Sequence, residues 1–315
     1  MSHEVESMFS VREKPWHYEE TKEVTKLIQK APTSKEALEL AGLNWNVERQ
    51  LIYDRNGIAI PGYCMNVRRQ DQQVLGVVSD KYSLIQNKEA FEFTDALIGE
   101  GLTYETAGSL RGGKQIWLLG RLQDCKIAGD DIESYVCFTN SHDGTGAVRC
   151  FLTPIRVVCN NTLNFAIQGA KRSWSTNHVG NIQNKLNEAR SVLFHAHLYL
   201  QRLDEVGDQL ANEKMTEEEM RAATNILLPK DPSFTEKQEE NLQLMRDGIM
   251  ICTLAPDLVK FAETKWQFIN AVADYVDHMT PFRKSKSWEA NRWAKIMNGH
   301  GLVDRALALV TEGAE

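Results

Sequence analysis

No run of roughly 18 consecutive apolar residues occurs in the chain, which excludes a bilayer-spanning helix. The opening residues MSHEVESMFS carry neither a basic region nor an apolar stretch, so no secretory leader is expected and the reading is a cytoplasmic protein without a membrane partner. The six cysteines, Cys64, Cys125, Cys137, Cys150, Cys159 and Cys252, form no C-x-x-C pair. That argues against a zinc ribbon or redox motif and leaves them as reduced core residues. Internal repeats and low-complexity tracts are absent too, which removes solenoids from consideration. An excess of positive charge is also missing: the net charge is −7, which argues against a protein coated with nucleic acid over its whole surface but leaves room for a local basic face.

What is present is a globular composition. With 315 residues and 42% hydrophobic content, the chain can bury one large core or two of ordinary size. Residues 1–48 are polar and read as a helical N-terminal arm, with a helix in SKEALELAGLNW capped by Ser34 and stopped at Gly42. Residues 49–178 read as an α+β core domain. Asp54-Arg55-Asn56-Gly57 marks a turn between two strands, QVLGVVSD follows as a third, and NKEAFEFTDALIGEG is helical. LTYETAGSL, KQIWLLGRL, SYVCFTN and AVRCFLTPIRVVC supply further strands, the last interrupted by Pro154 at a bulge or edge position.

Residues 179–315 read as a helical region. Ile182, Leu186, Ala189, Leu193, Ala196, Leu200, Leu203 and Leu210 keep heptad-like spacing, broken only at Gly207. This implies a helix of roughly 30 residues, on the order of 45 Å, needing a partner from later helices or a second subunit. Thr216 with Glu219 forms a capping box, Pro229 and Pro232 mark a linker, and Thr235 with Gln238 opens another helix. The fold class is therefore α+β, mainly an antiparallel sheet with packed helices, followed by a helical C-terminal region.

The blocks GLNWNVERQLIY, YSLIQNKEAFEF, GSLRGGKQIWLL, NSHDGTGA and RVVCNNTL, taken together, resemble the phage/plasmid-like family catalogued as domain of unknown function 932, over about residue 40 to the C-terminus. The resemblance implies a context of bacteriophages, plasmids and integrated elements. It brings no established activity to carry over residue by residue.

Several motifs invite a chemical reading. GSLRGGKQ has the spacing of a phosphate-binding loop, but Gln115 stands where Ser or Thr should hold magnesium, and IWLLGRL continues as a strand rather than a helix. Gly112 and Gly113 are better explained as a hairpin turn at positive φ, with Arg111 and Lys114 exposed at its tip as candidate contacts to a phosphate backbone. His142 and Asp143 suggest an acid/base pair, yet adjacent side chains on a strand diverge and Asp-Gly is a strong turn signal. His195 and His197, two apart on a helix, diverge by about 200° and are not placed to share a metal. No cofactor, metal or catalytic residue is expected, and the reading leans away from an enzyme.

In RVVCNNTL, Val157, Val158, Cys159 and Leu163 suit a core, while Asn160 or Asn161 suits a helix cap. Arg156 is left over, and either pairs with a carboxylate or faces an anion at the adjacent helix N-terminus. The structural role is the expectation for Arg156, and an anion groove for Lys171 and Arg172, which precede Trp174 in GAKRSWSTNH. The C-terminal FRKSKSWEANRW repeats this mixture with Arg283, Lys284, Lys286, Trp288, Arg292 and Trp293. Cations that track phosphates beside aromatics that stack on bases suit a single-stranded nucleic-acid groove, although the tryptophans also suit a core beside solvated lysines.

The leading expectation is a mobile-element protein that binds and anneals single-stranded DNA in recombination or replication, as a homo-oligomer. The alternative is a protein–protein inhibitor of a host defence or replication complex, with a host protein as partner and its acidity as the means of docking. A nucleic-acid-processing enzyme using His142, Asp143 and Arg156 ranks third.

Overall fold

The computed structural model describes residues 5–11, 23, 25–98, 103–156, 173–181, 184, 187–188, 196–279 and 300–312. The chain is α+β and divides into two compact units that interleave in sequence. The first comprises residues 1–123, 135–152 and 171–196, the second residues 124–134, 153–170 and 197–315. Among the described residues no helix is long and apolar enough to cross a membrane.

The larger sheet of the chain has the order β11-β10-β9-β7-β6-β1-β2. Its strands are β1 (Val5–Ser10), β2 (Thr25–Leu27), β6 (Thr103–Leu110), β7 (Gln115–Arg121), β9 (Asp130–Ser141), β10 (Val148–Arg156) and β11 (Ser173–Thr176), and β8 (Cys125–Ile127) pairs with the start of β9. The β1–β2 pair is parallel, whereas β1–β6, β6–β7, β7–β9 and β10–β11 are antiparallel. A smaller antiparallel sheet in the first unit has the order β3-β4-β5, from Val47–Tyr53, Ala59–Arg68 and Gln73–Ser79.

Two expectations for the first 48 residues are corrected. Val5–Ser10 and Thr25–Leu27 are strands rather than a helical arm, because Met8 and Phe9 are buried where β1 pairs with β6 about a hundred positions later. The helix α1 (Ser34–Leu40) is capped by Thr33, not Ser34. Glu36 lies three residues after Thr33, so its Oε2 accepts from Thr33 N at 2.8 Å while Thr33 Oγ1 accepts from Glu36 N at 3.4 Å. Ser34 would have needed the same return bond from Ala37. Gly42, at φ +68°, then ends the helix. The second helix, α2 (Asn87–Ile98), buries Ala90, Phe91 and Phe93.

The turn at residues 54–57 follows the sequence reading. Asp54 Oδ1 accepts from the N–H groups of Asn56 and Ile58 at 2.9 and 2.8 Å, and Gly57 sits at φ +78°. Pro154 lies on β10 beyond Phe151, the last β10 residue paired with β11 among the described residues.

The second unit packs α3 (Ala196–Asn212), α4 (Glu217–Leu227), α5 (Glu236–Cys252), a 3₁₀ turn (Pro256–Phe261), α6 (Lys265–Asp274), a π turn (Tyr275–Met279) and α7 (Gly301–Glu312) around one core. In the described part of the heptad-like seam, Leu203 and Leu210 are fully buried and Leu200 packs against the same cluster, so here its partners are elements of its own chain. Gly207 interrupts the seam because β8 and α6 come too close for a side chain: a Cβ there would lie 2.9 Å from Ile127 Cγ2 and 3.4 Å from the Trp266 ring. Ile182, Leu186, Ala189 and Leu193 lie outside the described residues. The capping boxes form as the sequence indicates, with Glu219 Oε2 accepting from Thr216 N at 2.7 Å and Gln238 Oε1 from Thr235 N at 2.9 Å.

Candidate nucleic-acid interface

The β-register of the first unit gathers several loops at one end of the larger sheet. Gln115, which opens β7 after the turn at residues 111–114, is paired with Ser141, the last residue of β9. The chain reverses through residues 142–147 into Val148, which pairs with Thr176 at the end of β11. The 111–114 turn, the 142–147 loop and the end of β11 therefore share one edge of four successive strands.

The turn is built by conformation. Arg111, Gly112 and Gly113 all have positive φ, of 54°, 65° and 82°. The glycines are also needed for space: a Cβ on Gly112 would meet Gln73 Nε2 at 2.7 Å, and one on Gly113 would meet Arg68 Nη1 at 3.0 Å and the Trp45 ring at 3.1 Å. The turn thus rests on a firm polar base. Arg68 is buried, its Nη1 bonding Glu6 at 2.8 Å and its Nη2 bonding Asp71 at 2.7 Å, and its guanidinium lies 5.3 Å from the Trp45 ring centre. Hydrogen bonds that Arg68 donates to Asp71 first, then those to the carboxylate of Glu6, outweigh burial and raise the Arg68 pKa further, so it is a permanent cation.

The neighbouring loop is held just as closely. Asp143 Oδ1 accepts from Ser141 Oγ at 2.5 Å, Thr145 N at 2.9 Å and Thr145 Oγ1 at 2.7 Å, closing the turn ahead of Gly144 at φ +78°. Burial pushes the Asp143 carboxyl up, but those hydrogen bonds and the Arg111 charge prevail and hold it below its ordinary value. Gly76 of β5 lies against the Asp143 backbone, since a Cβ there would sit 2.5 Å from Asp143 Cα.

His142 points the other way and is fully buried. Asn87 Nδ2 is committed to Leu43 O at 3.0 Å, so Asn87 Oδ1 accepts from His142 Nε2 at 2.9 Å and fixes the tautomer with hydrogen on Nε2. The Trp45 ring meets the imidazole edge-on at 5.4 Å, and Asn66 Nδ2 donates to the His142 carbonyl at 2.7 Å. Burial, followed by repulsion from His178, lowers the His142 pKa to about 3 against the pull of Asp143. The ring is neutral near pH 7. Tyr82 donates to the Ser141 carbonyl and stacks on His178 at 4.4 Å, while His178 Nδ1 lies 2.8 Å from Ser83 O. Burial raises the Tyr82 hydroxyl well above its ordinary pKa.

This network anchors loops. Among the described residues no group of three or more His, Cys, Asp or Glu side chains is placed to hold a metal ion. His142 and Asp143 diverge, as alternation along the chain demands, and each is absorbed by its own hydrogen bonds. The sequence reading missed Asn66, Tyr82 and Asn87, and it grouped His178 with the cations of GAKRSWSTNH rather than with this buried network. Their link to His142 spans 36 to 76 residues in the chain, and no spacing rule reports it.

Of the proposed binding residues, Arg111 is exposed at the turn, while Lys114 is half-buried rather than exposed because its carbonyl accepts from His142 N at 2.7 Å and draws the residue inward. Trp174 is half-buried on β11, opposite Cys150. Three strand spacings separate β7 from β11, roughly 14 Å. Arg156 ends β10, and its side chain lies outside the described residues, as do Lys171, Arg172, Arg283, Lys284, Lys286 and Arg292. The model of the family described as Domain of unknown function (DUF932) matches residues 74–297 of the chain. No curated protein and no solved structure matches it.

Proposed function

The chain belongs to the DUF932 family, and on that footing we propose that it is a single-stranded nucleic-acid-binding protein, working as an oligomer in the recombination or replication of a phage or other mobile element. The observation that carries this reading is the joint position of exposed Arg111 and half-buried Trp174 at one end of a sheet whose loops are pinned by buried hydrogen bonds. A cation fixed at a turn tip engages phosphate, and an aromatic face on an edge strand stacks on a base at about 1–3 kcal/mol. Annealing requires nothing more reactive than phosphate neutralisation with base edges left open. With a net charge of −7, binding has to be local and steeply salt-dependent.

Fluorescence anisotropy with single-stranded and duplex oligonucleotides over a salt series tests it. Wild type binds single strands in preference to duplex, Arg111→Gln flattens the logarithmic salt slope by about one unit, and Trp174→Ala weakens binding about five- to a hundredfold without changing that slope. No binding of single strands at low salt would end this reading.

A further inference from the structure

At the junction of α5 with the π turn, the second unit gathers side chains that the nucleic-acid reading leaves unused. Cys252 ends α5 and is 4% exposed. Its Sγ stands 3.4 Å from Met279 Sδ. An α-helix would set only His278 over Asp274, whereas a π turn closes from i to i+5 and brings Met279 over it as well. Asp274 lies within hydrogen-bonding reach of Cys252, and its Oδ1 is 3.8 Å from His278 Nε2. The imidazole therefore stands one carboxylate away from the thiol.

A thiol against a thioether is ordinary core packing, and what sets this pair apart is its company. Tyr275 is 1% exposed, and its hydroxyl has no hydrogen-bond partner among the described residues, a costly arrangement for a buried donor. The Tyr275 ring presses on Gly248, one helical turn before Cys252, where a Cβ would lie 2.6 Å from Tyr275 Cε2. Its hydroxyl is within electrostatic reach of that cysteine. An orphaned donor beside a thiol gains a strong acceptor once the sulfur has lost its hydrogen, because hydrogen bonds to an ionised acceptor are the stronger ones.

Thiolate and thioether are soft donors that select a soft ion such as Cu(I), whereas Mg²⁺ and Ca²⁺ seek oxygen. Among the described residues no three imidazole, thiol or carboxylate groups converge on a metal, so the thioether is what distinguishes this place. Two bonds of about 2.3 Å, usual for a metal thiolate, span the 3.4 Å gap between the sulfurs at an angle of roughly 95°, which leaves a coordination position open. We propose that Cys252 and Met279 bind one Cu(I) ion, with His278 turning from Asp274 to supply the third ligand and Tyr275 donating to the bound sulfur. Binding replaces the thiol hydrogen: the S–H bond breaks, an S–Cu bond forms, Asp274 passes the proton to solvent, and no electron changes hands. Exposed His278 and partly exposed Asp274 and Met279 mark the way in.

Cu(I) itself is the probe. Full-length reduced protein is titrated without oxygen into Cu(I) held by a chromogenic chelator, and the loss of chelator colour reports the ions taken up. Wild type is expected to take one ion that Cys252→Ala, Met279→Leu and His278→Gln each hold at least tenfold more weakly. Tyr275→Phe, which removes only the group behind the sulfur, should weaken binding about tenfold. Cys125→Ala, at another partly buried thiol, should bind as wild type does. Met279→Leu conserves volume and keeps the fold, so it separates lost ligation from lost structure. Cu(I) should raise the melting temperature of wild type and not that of Met279→Leu. No uptake by wild type, or wild-type affinity in Cys252→Ala, Met279→Leu or His278→Gln, overturns the site. Every residue involved belongs to the second unit, so the anisotropy titration of Arg111 and Trp174 is a separate test.

Discussion

Asn87 and His142, 55 residues apart in the chain, are joined by a 2.9 Å hydrogen bond that holds a fully buried, neutral imidazole. The folded protein keeps His142 neutral down to about pH 3, whereas in the unfolded chain it takes up a proton near pH 6.5. The unfolded state therefore binds more protons across that window, and this group's contribution to stability falls as pH falls, by up to about 1.4 kcal/mol per pH unit. His142→Gln removes the proton site. Urea titrations at several pH values should show the stability advantage of wild type over the variant shrinking from pH 7 toward pH 4. An advantage that does not change with pH would refute the assignment.

Gly76 should tolerate no side chain. The Cβ of Gly76→Ala would press on Asp143 Cα at 2.5 Å, and backbone cannot rotate away as a side chain can. A loss of about 1–3 kcal/mol is expected, together with weaker oligonucleotide binding as the loop beside Arg111 shifts. Gly57→Ala is the control: nothing lies within 4 Å of its Cβ, and only its positive φ opposes the change. Equal melting temperatures for Gly76→Ala and wild type would show that the loop does not rest on β5.

Arg68 links Glu6, Asp71 and Trp45 beneath the 111–114 turn. Arg68→Met keeps the bulk but removes the hydrogen bonds to Glu6 and Asp71, and should lower the melting temperature. Arg68→Lys should recover only part of this, because a single ammonium cannot span both carboxylates as the guanidinium fork does. A lysine variant as stable as wild type would argue that charge alone matters there.

In the second unit, Leu203→Ala should destabilise by about 2–5 kcal/mol, since the side chain is fully buried among later helices. Gly207→Ala, usually favourable inside a helix, should destabilise here because of Ile127. Chemical denaturation checks both, and a stabilised Gly207→Ala would mean that β8 and α3 are farther apart than described.

The features readable from sequence were those fixed by residues close together in the chain. Asp54 to Gly57, Gly112 with Gly113, and the pairs Thr216–Glu219 and Thr235–Gln238 each carry their own turn or cap chemistry within four positions. The strand character of Met8 and Phe9 was not readable in this way, because it depends on pairing with Gly108 and Ala107. Ser34 misled because both it and Thr33 can cap, and only the spacing to Glu36 decides between them. Of the candidate site, the glycine turn was legible, whereas Asn66, Tyr82 and Asn87 look like ordinary strand, loop and helix residues until the fold brings them to His142 and Ser141.

The pairing of β1 with β6 also sets a timetable for synthesis. Thr106 Oγ1 donates to Phe9 O at 2.6 Å across 97 residues. At about 5–20 residues per second, β1 leaves the ribosome roughly 5–20 s before its partner exists. Through that interval Met8 and Phe9, covered in the finished sheet, are open to chaperones and proteases. Codon changes that slow translation between β1 and β6 should therefore lower the yield of intact protein, whereas the same slowing after β11 should spare the larger sheet.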